Sequence, residues 1–252
     1  MTSRRWLVLA ALAAVNSVAA FAQTEIGVIA PGGIRVALEQ LIPVFESKTG
    51  YKVKATYGSG PGSRQMVARG DAVDVPIVQT PLEEVLKSGH VVEASAKPLA
   101  SIELGVAVKK GAPKPDMSSP EAVKKSLRAA KSIVYPDPKS AAAGINFDLA
   151  LKNMGLTQEI EPKLKRAANA AAAMKATSDG EAELGITFLS EMTEGVDNAG
   201  ALPKEFSTPP SLVAYLSSHT KDKQAAQTFL DFLAGPEAAQ VYRKLRMTPA
   251  AR

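Results

Sequence analysis

Beyond its first two dozen residues, the chain switches repeatedly between strand-like and helix-like hydrophobic periods. EIGVIA (25–30) is a short apolar run. After PGG, the apolar residues Ile34, Leu38, Leu41, Ile42 and Phe45 recur at three- and four-residue spacing until Gly50, which predicts a strand followed by a helix. Pro43 inside that helix predicts a kink. YKVKATY (51–57) alternates as a strand, SRQMVARG (63–70) reads as a short helix closed by Gly70, and VDVPIV (73–78) reads as a strand. In TPLEEVLKSG (80–89), Thr80 and Glu83 have capping-box spacing and Pro81 stands at the first helical position, so the next helix is predicted to start there. SIELGVAVKKG (101–111) reads as one long strand, and SSPEAVKKSLRAAK (118–131) as a helix capped by Ser119 with Pro120 first inside. SIVYPD (132–137) is a buried strand. The loop PKSAAAG (138–144) leads into a helix whose Ile145, Leu149 and Met154 share a face. ANAAAAMKATSDG (168–180) is a helix, and AELGITF (182–188) and SLVAYLSS (211–218) are strands. DKQAAQTFLDFLAG and PEAAQVYRKLR close the chain as two helices.

Alternating strands and helices of these lengths predict an α/β protein of mostly parallel sheets flanked by helices. The long strands at 101–108 and 211–218 bracket the middle segment. The expected division is a first lobe of residues 23–102 plus 204–252, with a second lobe, 103–203, inserted between them.

The first 22 residues break this pattern. MTSRR carries two positive charges, WLVLAALAAV is too short an apolar run to span a bilayer, and AFA at Ala20–Ala22 has the form of a signal peptidase site. A cleaved secretory leader, export to the periplasm and a mature start near Gln23 are expected. The chain carries 30 Lys+Arg against 25 Asp+Glu, a net charge of +5, and Arg4 and Arg5 of the leader account for two of these. The remaining excess suits small anions. Its scattered lysines form no basic stripe with interleaved aromatics, so no nucleic acid partner is expected. There is no cysteine, which removes disulfide scaffolds, thiolate chemistry and Cys-ligated metals. His90 and His219 are far apart in sequence, so neither a His-based zinc site nor a Ser-His-Asp triad is expected, and no metal or cofactor is implied.

Three junctions share one design, in which a loop of Gly, Ser, Pro or Ala precedes a helix start: APGGIR (30–35), GSGPGSR (58–64) and DPKSAAAG (137–144). Unbonded N–H groups and the positive end of the helix dipole make such a junction an anion site, and small residues allow close approach. In wound α/β sheets these loops lie at the carboxyl ends of the strands, where ligands bind. Gly32, Gly33, Ser59, Gly60 and Ser63 are candidate contacts. Arg35 and Arg64 stand in the first turns of two of these helices, where a planar guanidinium fork would match a carboxylate.

The leader, GVIAPGGIRVALEQLIPVFESKTG, YGSGPGS, VARGDAVDVPIV, YPDPKSAAAGINFDLALKNMG, AELGITF and FLDFLAGPEAAQVYRKL occur in an order that resembles the periplasmic molybdate-binding proteins of ABC transporters. That resemblance implies the two-lobed type II periplasmic binding fold, a small anion clamped between the lobes and a membrane permease as partner; a monomer is expected. Residue by residue, it implies a ligand contact at or near Gly33, where the family has a serine. It also implies contacts at Ser59 or Gly60, at the backbone of Ala142 or Ala143, and near Ala170. The family's tyrosine corresponds to Phe188 here. With two hydroxyls missing, a tetrahedral oxyanion would be under-satisfied, and an organic carboxylate becomes the competing ligand. PGGIRVALEQLIPVFESKTG, ARGDAVDV and KKGAPKPDMSSPEAVKKSLRAAKSIVYPD resemble more closely the branch that includes periplasmic aconitate isomerase. That branch implies, as the alternative to transport, an isomerase of aconitate or a related polycarboxylate. Asp137, Lys139 and Glu191 are then the unranked candidates for its base.

Overall fold

The structure, a computed structural model, describes residues 25–251, so the leader over residues 1–22 lies outside the described residues. The first strands are β1 (Glu25–Pro31), β2 (Lys52–Gly58), β3 (Val75–Gln79) and β4 (Val91–Ser101). The chain then builds β5 (Leu104–Lys109), β6 (Ile133–Pro136), β7 (Leu164–Ala167), β8 (Leu184–Phe188) and β9 (Val196–Ala201), and returns through β10 (Ser211–Ser217) and β11 (Thr248–Pro249). These strands form a six-stranded sheet ordered β11-β4-β10-β3-β1-β2 and a five-stranded sheet ordered β7-β6-β8-β5-β9. The helices that flank them are α1 (Arg35–Thr49), α2 (Gly60–Ala68), α3 (Glu83–Lys87), α4 (Pro120–Ala129), α5 (Ala142–Met154), α6 (Thr157–Ile160), α7 (Ala170–Asp179), α8 (Lys223–Leu233) and α9 (Pro236–Lys244). This is the two-lobed type II arrangement.

Both sheets are mixed where mostly parallel sheets were expected. Pairs linked through helices, β1 with β2 and β3 and β6 with β7 and β8, are parallel. The strands next to the crossings between sheets, β4, β5, β9 and β10, pair antiparallel, because the chain leaves each lobe and re-enters it in opposite directions. The single strand expected over 101–111 is split at this crossing. The Ile102 N–H still donates to the Pro210 carbonyl of the first sheet (3.1 Å), whereas Leu104 already pairs with Phe188 of the second.

Apolar periodicity accounts for the packing. α1 buries Ala37, Leu38, Leu41 and Phe45, and the Phe45 ring meets Phe229 of α8 edge-on at 4.8 Å. In the second lobe Tyr135 of β6 packs edge-on against Phe147 of α5 at 5.0 Å and donates its O–H to Asp148.

Three further expectations are corrected. α3 has no capping box: its first helical residue is Glu83, and the Thr80 hydroxyl accepts instead from the Ser211 N–H (3.1 Å), which ties Thr80 to β10. α2 starts at Gly60, three residues earlier than expected. On α5, Ile145 and Leu149 are 41% and 53% exposed, and the buried face runs through Ala143, Phe147, Ala150, Leu151 and Met154. Three small residues in the first turn let α5 lie close to its sheet, and that rotates the inward face away from the one read from its larger side chains.

Candidate functional site

A cleft of about 630 Å³ lies between the lobes. From the first lobe it is lined by Gly32, Gly33, Arg35, Tyr57, Ser59, Gly60 and Gln79. From the second it is lined by Ser140–Ala143, Asn169–Ala171, Phe188, Glu191 and Thr193. Four helix starts contribute to this wall, each following a strand at its carboxyl end.

In each case the caps determine which N–H groups remain open. Ser59 is the N-cap of α2. Its Oγ accepts from the Gly62 N–H (3.0 Å) and its carbonyl from the Ser63 N–H (2.8 Å), which leaves the Gly60 N–H and the Ser59 O–H available to a ligand. α5 begins after Ala141, which supplies no side-chain cap. Its first backbone bond is Ile145 N–H to the Ala141 carbonyl (3.2 Å), so the N–H groups of Ala142 and Ala143 precede the intrahelical ladder. Asn169 caps α7 by accepting from the Ala172 N–H (2.9 Å), leaving Ala170 and Ala171 in the same position. Before α1, the 3-10 turn Gly32–Ile34 brings glycine backbone to the wall. A Cβ on Gly33 would lie 2.5 Å from Ile102 Cδ1 and 3.7 Å from the Phe188 ring, so this position is filled by its neighbours in place of a hydroxyl. The Gly33 carbonyl accepts from the Ser190 O–H (2.9 Å), a hydrogen bond that joins the two lobes at the cleft floor.

Arg35 stands on the rim. Its Nε pairs with Glu39 Oε1 at 2.8 Å, and its guanidinium lies 5.0 Å from the centre of the Tyr57 ring. Such an exposed i,i+4 pair contributes only about 0.3–0.5 kcal/mol, so the guanidinium can exchange Glu39 for another anion at little cost.

Gly32, Gly33, Arg35, Ser59, Gly60, Ala142, Ala143, Ala170 and Phe188 all line the cleft. Ser63 and Arg64 do not. Because α2 starts at Gly60, Ser63 falls at its fourth residue and turns inward, fully buried, with its Oγ unpartnered. Arg64 is carried away from the wall and donates to the Gln79 carbonyl (3.3 Å). Arg64→Ala is therefore expected to change the affinity for any anion by no more than about threefold, within the range of a substitution outside the site. Calorimetry on this variant checks the assignment.

Of the three candidate bases, only Glu191 lines the cleft. Asp137 Oδ1 is engaged by the Lys139 N–H in the turn before α5. The Glu191 carboxyl accepts from the Thr187 O–H (2.6 Å) and from the Phe188 N–H, and burial pushes it above the usual carboxylate range despite both hydrogen bonds. Sequence reasoning missed Gln79, which is 3% exposed, lies against Gly60 and has no partner for its Oε1. The available signal was a lone polar residue ending the apolar strand VPIVQ at its carboxyl end, where ligands bind in this class of sheet.

The two histidines do meet, with His90 Nδ1 2.7 Å from His219 Nε2, but on an exposed surface at the opposite end of β10 from Gln79 and Thr80. Among the described residues no group of three or more His, Asp or Glu side chains is placed to hold a metal ion, and no helix is long and apolar enough to cross a membrane.

Known proteins share both the sequence pattern and this architecture. The chain is 29% identical over 247 residues to an aconitate isomerase of a Pseudomonas species, covering 94% of this chain and 93% of that protein. It is 28% identical over 225 residues to the molybdate-binding protein of Azotobacter vinelandii, covering 87% and 88%. A solved structure of the periplasmic molybdate-binding protein from Azotobacter vinelandii superposes with a TM-score of 0.73 at 21% identity, over 90% of this chain and all of that one. The family model of the bacterial extracellular solute-binding proteins matches residues 26–245, and the chain belongs to that family.

Proposed function

We propose that this protein captures a small organic carboxylate in the periplasm and, by closing its lobes around it, presents it as a monomer to an ABC-type membrane permease. The observation that carries this reading is the convergence of open N–H groups from α2, α5 and α7, with Arg35 at the rim, on one cleft. Two features favour a carboxylate over a bare tetrahedral oxyanion. Gly33 and Phe188 offer no hydroxyl, and Arg35 presents the fork that a carboxylate matches. The volume suits a ligand of several carbons, within the roughly 300–1,000 Å³ range of small-molecule sites.

The test is calorimetry with trans-aconitate, succinate, molybdate and sulfate in parallel. At least one carboxylate is expected to bind about tenfold or more tightly than molybdate, a difference of about 1.4 kcal/mol. Tighter molybdate binding overturns the carboxylate assignment.

The second reading is isomerisation of a polycarboxylate. It draws support from Glu191, a partly buried carboxyl without a cationic partner on the cleft wall, and from the relative named for that activity. Proton NMR of trans-aconitate incubated with the protein distinguishes the two. Accumulation of the cis isomer would assign turnover to this cleft, and an unchanged spectrum leaves capture as its function.

A further inference from the structure

Glu191 presents a carboxyl group to a cleft whose other features attract anions. Its Oε2 accepts from the Thr187 O–H at 2.6 Å, and its Oε1 faces Gly32, where a Cβ would stand 3.5 Å away. The carboxyl also accepts from the Phe188 N–H, and Gly32 and Glu191 both line the cleft. The other titratable groups on the wall are Arg35, Glu39 and Tyr57, and of these the single cation, Arg35, is already paired with Glu39. Second-lobe residues on the wall, such as Ser140, Asn169 and Thr193, carry no charge. An incoming carboxylate held by the helix N-termini, with Arg35 at the rim, therefore shares a confined space with Glu191, a second carboxyl that no cation among the described residues supports directly. A second negative charge confined beside the first raises the affinity of the pair for one proton.

We propose that Glu191 enters the complex as the neutral acid, with its proton on Oε1 donated to the bound carboxylate, so that capture of the ligand takes up a proton from solvent. No covalent bond of the ligand changes. Buffer or water supplies the proton and it returns there on release. Burial, which raises the carboxyl above its ordinary range, lowers the cost of this step. The proposal rests on the capture reading, because a Glu191 already protonated in the complex is not available there as a base.

The test is titration calorimetry of trans-aconitate, and of sulfate as a second probe, at pH 7.5, where both are fully ionised. Each is run in two buffers of different ionisation enthalpy. For the wild type, the difference in measured heat is expected to correspond to uptake of about half to one proton per ligand, and the affinity to fall by up to about tenfold per pH unit on the alkaline side. Glu191→Gln, whose amide oxygen can still accept from Thr187, is expected to show no buffer dependence and a flat pH profile. Binding to the wild type with heats independent of buffer overturns the role of Glu191 and leaves the cleft assignment standing. The same holds if proton uptake persists in the variant. Failure of both probes to bind the wild type overturns the anion site and this proposal together.

Discussion

Gly144→Ala is expected to destabilise the protein by about 3 kcal/mol and to abolish ligand binding, although alanine is the better helix former by about 1 kcal/mol. Gly144 lies in the first turn of α5, and a Cβ there would stand 2.1 Å from the Pro136 carbonyl oxygen, 2.7 Å from the Pro138 nitrogen and 2.9 Å from the Asp137 carbonyl carbon. All three are backbone atoms of the β6–α5 junction, so no side-chain rotation relieves the overlap. The helix must move off the strand, and the open N–H groups of Ala142 and Ala143 move with it. Because overpacking of this severity exceeds the propensity gain, the urea midpoint should fall, and calorimetry with trans-aconitate and molybdate should show no heat of binding. A variant as stable as the wild type would mean that α5 is not seated on its strand as described.

That glycine shows how the legible and illegible parts of this chain divide. The strand, small-residue loop and helix start were readable from PKSAAAG and GSGPGS because turn chemistry and apolar period are local properties. For the same reason the lobe-wise wrapping of helices on sheets could be anticipated. Interactions set by distant residues could not be read. Nothing in VVEASAKPLAS marks β4 as an interior strand: its residues alternate weakly, and Pro98 argues against a sheet. In the structure Pro98 sits opposite Val213, beside a register shift in β10, where a missing N–H is tolerated. Thr80 and Glu83 had capping-box spacing, but β10, more than a hundred residues away in sequence, supplied Thr80 with a better partner. Arg64 followed the Gly/Ser stretch closely enough to look like a ligand contact. The start of α2 at Gly60 turns it to the Gln79 carbonyl instead, so an error of one helical turn moved a candidate from the cleft wall to the structure behind it. Glu191 was identifiable as a carboxyl near the site. Its surroundings, burial and hydrogen bonds from Thr187 and Phe188 with no cationic partner among the described residues, depend on what the fold packs around it, which spacing along the chain does not determine.

Gly60→Val is expected to lower ligand affinity by at least about 100-fold, roughly 2.7 kcal/mol, with a smaller loss of stability. At this position a Cβ would lie 2.5 Å from Gln79 Cδ, 2.6 Å from its Nε2 and 2.8 Å from its Oε1. In contrast to Gly144, the obstacle is a side chain, so the fold can adjust by turning Gln79 out of its seat. The cleft, which both residues line, offers that side chain room. The displaced amide and the valine methyl groups would then cover the Gly60 N–H and the Ser59 hydroxyl, the two donors that α2 offers the ligand. Combining the substitution with Gln79→Ala separates the two effects. Removing the amide should restore most of the lost stability, because the overlap disappears. Affinity should remain low, because the valine still blocks approach to the start of α2. If trans-aconitate and molybdate both bind the single variant as they bind the wild type, the YGSGPGS segment is a turn that caps a helix and nothing more, and the first-lobe half of the proposed site fails with it.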